Sequence, residues 1–241
     1  MRLFLIAGGG LMGVWCRYYL LHFRDWVAKD VYVAYQALFD TNLPDFSTEN
    51  SHLAPLHCAS HWIFFIAFAC LFVMMDWLFE IPYQGVFIAS YVSIAICIAV
   101  IDWRYQLISV RLCYALFWIG VVSAYVEVSP LYLEQSLQGA LTGFFAFYCL
   151  YHLSKGIYRK ELLGKGDYWL MLGLGSMSHF AWLPLWLFLA CAMGLGYVCG
   201  LRIKGQKIKQ LPFAPFLILS ALCVILPNWY SPSMMSKLWI G

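Results

Sequence analysis

Ile94-Ala95-Ile96-Cys97-Ile98-Ala99-Val100-Ile101 is an unbroken apolar run, and it ends on Asp102-Trp103-Arg104. The apolar stretch starts near residue 85, which makes it long enough to cross a bilayer as a helix, since a span needs roughly 17–25 residues. A charged side chain inside such a helix costs about 2.5–3.5 kcal/mol at mid-membrane, so an aspartate at its edge calls for a reason. Similar apolar runs recur along the whole chain, which is 63% hydrophobic and 11% charged, whereas a soluble domain carries about a quarter charged residues. The fold expected is all-α: a polytopic integral membrane helical bundle of about eight transmembrane helices. Its lasting partner is the lipid bilayer, and a net charge of +3 gives no reason to expect nucleic acid.

In chain order the expected spans are about 3–23, 59–79, 85–101, 108–126, 131–153, 167–178, 181–201 and 213–229. Gly8-Gly9-Gly10 and Gly13 give the first span a smooth face where another helix can approach closely. It lacks a small-residue cleavage site, so it is expected to be a retained membrane helix rather than a signal peptide. The sixth is short and glycine-rich, with Gly173 and Gly175, and stops before Pro184. Of the fifteen Lys and Arg residues, all but Arg2 and Lys237 fall at one set of span ends, which makes that side cytoplasmic and both termini external. Trp62, Trp77, Trp103, Trp182 and Trp229 are expected in interfacial belts.

The domain organisation that follows is a first helix over 1–23, a cytoplasmic insert over 24–58 and the main membrane domain over 59–241. Within the insert, Asp30 to Leu38 is expected as a short helix and Pro44 to Pro55 as loop. The nine cysteines are scattered through apolar runs with no C-x-x-C pair, so they read as small apolar residues of membrane helices. His52, His57, Cys58 and His61 form a metal-like cluster in sequence, but the spacing fits no known site and no metal is expected. The basic stretch Arg202 to Lys209 reads as a topology signal facing headgroups.

The second aspartate of interest closes Gly164-Lys165-Gly166-Asp167, just ahead of Tyr168-Trp169-Leu170-Met171-Leu172. Asp102 ends a helix and Asp167 opens one, and both are expected at the cytoplasmic border. Two adjacent helices can therefore bring the carboxylates together across 65 residues of chain. Two carboxylates in contact do not both ionise easily, so one keeps a proton. The ionised partner can take a proton from water, and the protonated one can give a proton to a peptide carbonyl or its leaving amide. This is the chemistry of an aspartic endopeptidase. Gly164 and Gly166 are expected to adopt unusual dihedrals and to let a substrate strand approach closely, and the N–H groups that open the next helix favour a carboxylate there.

Ile101-Asp102-Trp103-Arg104-Tyr105-Gln106-Leu107-Ile108 resembles the first aspartate motif of the bacterial type IV prepilin peptidases, which are G-x-G-D membrane aspartic proteases. Glu161-Leu162-Leu163-Gly164-Lys165-Gly166-Asp167 resembles their second, and Pro212-Phe213-Ala214-Pro215-Phe216-Leu217 the segment opening their last helix. The resemblance covers roughly residues 85–230 and implies catalytic Asp102 and Asp167, supported by Gly164, Lys165, Gly166, Pro212 and Pro215. It implies cleavage of leader peptides from type IV prepilins or pseudopilins, on the cytoplasmic side of the bacterial inner membrane, in the service of a type IV pilus or type II secretion system. No cofactor is implied for the proteolysis itself.

This sequence departs from that pattern in places. Ser109 stands where the family commonly has proline, Trp169 where lysine is frequent, and Ala214 where a glycine is usual. Many members carry two zinc-binding C-x-x-C pairs in the insert and also methylate the new N-terminus with S-adenosylmethionine. Here Cys58 is the only cysteine of that region, which argues against zinc on that pattern and leaves N-methylation open. Two other functions compete: another G-x-G-D protease, of preflagellin or presenilin-like type, and a proton-coupled transporter using the paired aspartates as a relay. Ile101 before the first aspartate, in place of a tyrosine, counts against the presenilin type. The absence of visible inverted-repeat symmetry counts against the transporter. Oligomeric state is not written in the sequence.

Overall fold

The computed structural model describes residues 2–38, 53–79, 81, 83–159, 163–205 and 211–230. Expectations about the Pro44–Pro55 loop, His52, Glu161, Leu162, Lys207, Lys209 and Lys237 therefore fall wholly or largely outside the described residues. The described chain is all-α: α1 (Arg2–Leu38), α2 (His61–Leu78), α3 (Gln84–Tyr105), α4 (Val110–Tyr125), α5 (Leu133–Tyr158), α6 (Lys165–Gly175), α7 (Leu183–Ile203, after a 3-10 turn at Phe180–Trp182) and α8 (Ala214–Tyr230). Helices α1, α2, α3 and the stretch Phe180–Ile203 are each long and apolar enough to cross a membrane. The protein is a polytopic membrane helical protein.

Two compact units divide the chain, residues 1–71 and 72–241. In the first, α1 does not stop near residue 23 and restart at Asp30, as hydropathy suggested; it runs unbroken to Leu38. The cluster Arg24, Asp25, Lys29 and Asp30 contains no proline or glycine, so it ends the apolar surface without ending the helix. The glycine face of α1 is used as expected at Gly13, where an added Cβ would meet the Phe64 carbonyl and lie 2.9 Å from Cβ of Phe68.

The second unit is built around α6. At 11 residues this helix is about 16 Å long, short of the roughly 30 Å hydrocarbon core, so α6 alone does not span the bilayer. It packs against α5 and α4 and touches α8, while α3 lies against α4 and α8. The α5–α6 contact is close enough for backbones to touch: a Cβ on Gly139 would meet the Gly175 carbonyl, and one on Gly175 the Gly139 carbonyl. Small residues at such crossings stand in for the hydrophobic drive that helices lack in lipid.

Apolar side chains such as Trp77, Phe188 and Ile203 point outward, while Ser93, Ser123, Ser136, Ser176 and Ser220 are buried. Each of these hydroxyls donates to a backbone carbonyl, Ser93 to Ala89, Ser123 to Gly120 and Ser220 to Leu217 among them. That is the arrangement a low-dielectric surrounding demands, because an unpaired polar group there is expensive. Trp62, Trp77 and Trp103 are exposed, but Trp229 is buried, and its indole N–H donates to the Met177 carbonyl at 3.2 Å. It is a packed interior residue rather than part of a belt.

Candidate active site

Asp102 occupies the last turn of α3. The helix closes immediately after it, with Gln106 in the left-handed region (φ 54°) and its N–H donating to the Asp102 carbonyl at 2.8 Å. Asp167 is the third residue of α6, where its carboxylate reaches back to accept the Gly164 N–H at 2.9 Å. This is the side-chain half of a capping box, satisfying a donor that the helix start leaves unpaired. Both carboxylates are only 5% exposed, and they are close enough for the charge of Asp102 to act on Asp167. The fold thus places the two aspartates singled out from sequence within electrostatic reach of each other.

The second anchor is long-range. The backbone N–H of Ala214, first residue of α8, donates to Oδ2 of Asp102 at 3.0 Å. Pro215 follows it in the first helical turn, where a missing N–H costs nothing and a fixed φ favours the helix. The Pro212–Pro215 segment therefore presents a helix N-terminus to a buried carboxylate, with the favourable partial charge of that end. Among the described residues, the Ala214 and Gly164 donors are the hydrogen bonds these two carboxylates accept.

The glycines act through space rather than through dihedral freedom. Gly164 has φ −69°, and Gly205 is the described glycine with positive φ, so no unusual backbone is found in the motif. At Gly166 an added Cβ would run into Cβ of Ile108 and lie 3.1 Å from its outer carbons; at Gly164 it would lie 3.0 Å from Oδ2 of Asp167. Lys165 is exposed between them. Ile108, in the link between α3 and α4, locks against the G-x-G-D turn and so joins the two aspartate motifs.

The three departures from the family pattern find local explanations. Ser109 has φ −77°, a backbone that proline also adopts. Trp169 joins an aromatic cluster with Tyr114 (centroids 5.2 Å apart) and Phe144 (5.0 Å). Ala214 is fully buried and contributes its N–H. Sequence reasoning did not single out Cys113 of α4, whose buried thiol lies within electrostatic reach of Asp167.

In the first unit, burial pushes the Cys58 thiol above its ordinary value, against the opposing charge of Arg17. That disfavours the thiolate form that metals bind. Among the described residues no three His, Cys, Asp or Glu side chains gather as a metal site. Cys58 is the one cysteine within 24–58.

Comparison with known proteins bears on the same residues. The pattern of the type IV leader peptidase family matches residues 89–199, a stretch that includes both aspartates. A prepilin leader peptidase/N-methyltransferase of Haemophilus influenzae is 33% identical over 222 residues, covering 92% of this chain and 95% of the relative. The chain belongs to the type IV leader peptidase family. The chain is also 32% identical over 134 residues to the leader peptidase HopD of Salmonella typhimurium, covering 54% of this chain and 86% of HopD. To an Escherichia coli type 4 prepilin-like proteins leader peptide-processing enzyme it is 35% identical over 130 residues, 54% of this chain and 47% of the relative. No solved structure matches it. Membership decides for a peptidase over the transporter reading.

Proposed function

We propose that this leader peptidase is an aspartic endopeptidase of the G-x-G-D type, with Asp102 and Asp167 as its catalytic pair. Its substrates are type IV prepilins or pseudopilins, and it acts at the cytoplasmic face of the bacterial inner membrane. The observation that carries the reading is that two buried carboxylates, each accepting a backbone N–H, lie within electrostatic reach of each other at the ends of two helices.

In this mechanism one carboxylate is ionised and takes a proton from water as its oxygen attacks the carbonyl carbon of the scissile peptide. The other gives its proton to the carbonyl oxygen and then, as the C–N bond breaks, the leaving nitrogen is protonated from the pair. Acid and base belong to the pair, which titrates as a unit. The Ala214 and Gly164 N–H groups fix one oxygen of each carboxylate, so the pair is oriented before substrate arrives and little reorganisation is needed during the reaction. The basic residues at the same helix ends, Arg104, Lys165 and Arg202 among them, support cytoplasmic placement of the site. Proteolysis needs no cofactor in this scheme. S-adenosylmethionine would enter only with an N-methyltransferase activity, to which no residue is assigned.

Co-expression with a type IV prepilin tests the assignment. Wild type should convert the prepilin to the shorter form on a gel, and Asp102→Ala and Asp167→Ala, present at equal levels, should leave it uncut. Continued trimming by either variant sinks the site assignment.

A further inference from the structure

Helix α6 ends inside the protein at Gly175, and the chain turns on through Ser176 to Ser178, with the Met177 and Ser178 N–H groups returning to the Leu174 and Gly175 carbonyls. Donors from three other helices meet the carbonyls of Gly173, in the last turn, and of Ser176 and Met177, just beyond it. The Tyr91 hydroxyl of α3 donates to the Gly173 carbonyl at 3.2 Å, the Ser136 hydroxyl of α5 to the Ser176 carbonyl at 2.7 Å, and the Trp229 indole of α8 to the Met177 carbonyl at 3.2 Å. All three side chains are buried. Gln84, at the start of α3, donates to the Trp229 carbonyl at 3.4 Å and so ties α3 to α8 at the same end. Ser176 adds its own hydroxyl to the Gly173 carbonyl at 2.8 Å.

Resting on the reading of Asp102 and Asp167 as the catalytic pair, we propose that Tyr91, Ser136 and Trp229 are positioning residues. They clamp the far end of α6 and so set the depth at which Asp167 meets Asp102. Three features argue for this over packing alone. Asp167 lies only eight residues before the end of α6 at Gly175, about 12 Å along the axis, so a slide or tilt of the clamped end carries directly to the carboxylate. Tyr91 and Asp102 are eleven residues apart on α3, close to three full turns, and therefore share a face of that helix. One hydroxyl thus bridges the helix that carries one aspartate to the helix that carries the other. Finally, the cap at the near end, Gly164 N–H to Asp167, orients the carboxylate but fastens α6 only to its own preceding residue.

The clamp has a signature in the pH dependence of cleavage. Around the pair, α3 supplies Asp102 and, in its last turn, Arg104; α4 supplies the Cys113 thiol; α6 supplies Lys165. On α5 the titratable Tyr148, Tyr151 and His152 gather with Tyr168, the residue after Asp167. Helix α8 has no charged side chain and offers only its N-terminal N–H. The interaction between the aspartates adds to the separation of the two limbs of a bell-shaped profile, and it weakens as they move apart. Loosening the clamp should bring the limbs together. A merely less stable protein has fewer active molecules and a profile of unchanged shape.

The experiment uses the full chain in proteoliposomes with a purified type IV prepilin, comparing wild type, Tyr91→Phe, Ser136→Ala and Asp167→Asn. Per folded enzyme, the first two variants should lower kcat about five- to tenfold, as a slight misplacement of a reacting group would, and narrow the pH profile. Ser136→Ala serves should Tyr91→Phe fail to fold. If Asp167→Asn is inactive while both clamp variants keep a wild-type profile after scaling to folded protein, the clamp is wrong and the catalytic pair stands. If Asp167→Asn cleaves like wild type, the catalytic reading fails and the clamp with it.

Discussion

Asp102 stands in the last turn of a 22-residue helix and Asp167 in the first turn of an 11-residue one, and the two carboxylates are fastened in opposite ways. Asp167 is held by a donor three residues away, whereas Asp102 is held by a donor 112 residues away, at the start of α8. The first arrangement is complete within Gly164–Asp167 and forms whenever α6 starts. The second exists only once the bundle has closed. On the proposed reading, the pair combines a self-orienting carboxylate with one that becomes oriented only by assembly with the N-terminus of α8.

Removing each donor separately probes that asymmetry. Gly164 (φ −69°) and Ala214, at the first position of its helix, both have backbone places that proline adopts, so proline there deletes the N–H and sets ring carbon against the carboxylate that it served, with a Cβ at Gly164 also 3.0 Å from Oδ2 of Asp167. Ala214→Pro should lower kcat of prepilin cleavage by about 10- to 100-fold, the worth of a hydrogen bond to a charged group. Gly164→Pro should cost as much in kcat and also lower the unfolding temperature, because it removes a helix cap as well. If Ala214→Pro cleaves at the wild-type rate, the long-range anchor has no role in catalysis.

A smaller effect is expected where the two motifs touch. Gly166→Ala puts a methyl group into Ile108 and should destabilise the protein by about 1–3 kcal/mol, as overpacking of a filled interior does. Ile108→Ala in the same chain should restore much of the loss, read as the unfolding temperature in detergent. Failure of the second substitution to rescue the first would place the need for glycine elsewhere. The smallest change belongs to Lys165→Gln: the side chain is exposed, and cleavage rates should stay within about twofold, as for most surface substitutions.

The parts of this architecture that are local were legible in the amino-acid sequence. Asp102 at the end of an apolar run and Asp167 behind two glycines announce themselves by the cost of a charge at that depth, and the eight α-helices of the described residues fall where the apolar runs do, although α6 is too short to span. Where reading failed, the cause was a property that hydropathy does not carry. Hydropathy marks where the lipid ends, not where the helix ends, so α1 was cut short at Arg24 although its backbone continues to Leu38. Trp229 has the composition of an interfacial residue, and only its partner, the Met177 carbonyl, makes it an interior one. Gly164 and Gly166 drew notice for their dihedral freedom, whereas the structure shows crowding, by Ile108 and by the Asp167 carboxylate, which depends on the chain folding back on itself. The Ala214 donor to Asp102 left no trace in sequence apart from the prolines around it.

The central claim is that Asp102 and Asp167 form one catalytic unit, and the most direct measurement is a double-mutant comparison. Cleavage of a purified type IV prepilin is timed with Asp102→Asn, Asp167→Asn and the double variant, each confirmed as folded. Because general acid and base each contribute about 10²–10⁴-fold and partners in one unit are not additive, each single variant should fall to the same residual rate. The double variant should fall no further. Substantial cleavage by either single variant, or losses that multiply in the double, would mean that the two aspartates do not act together.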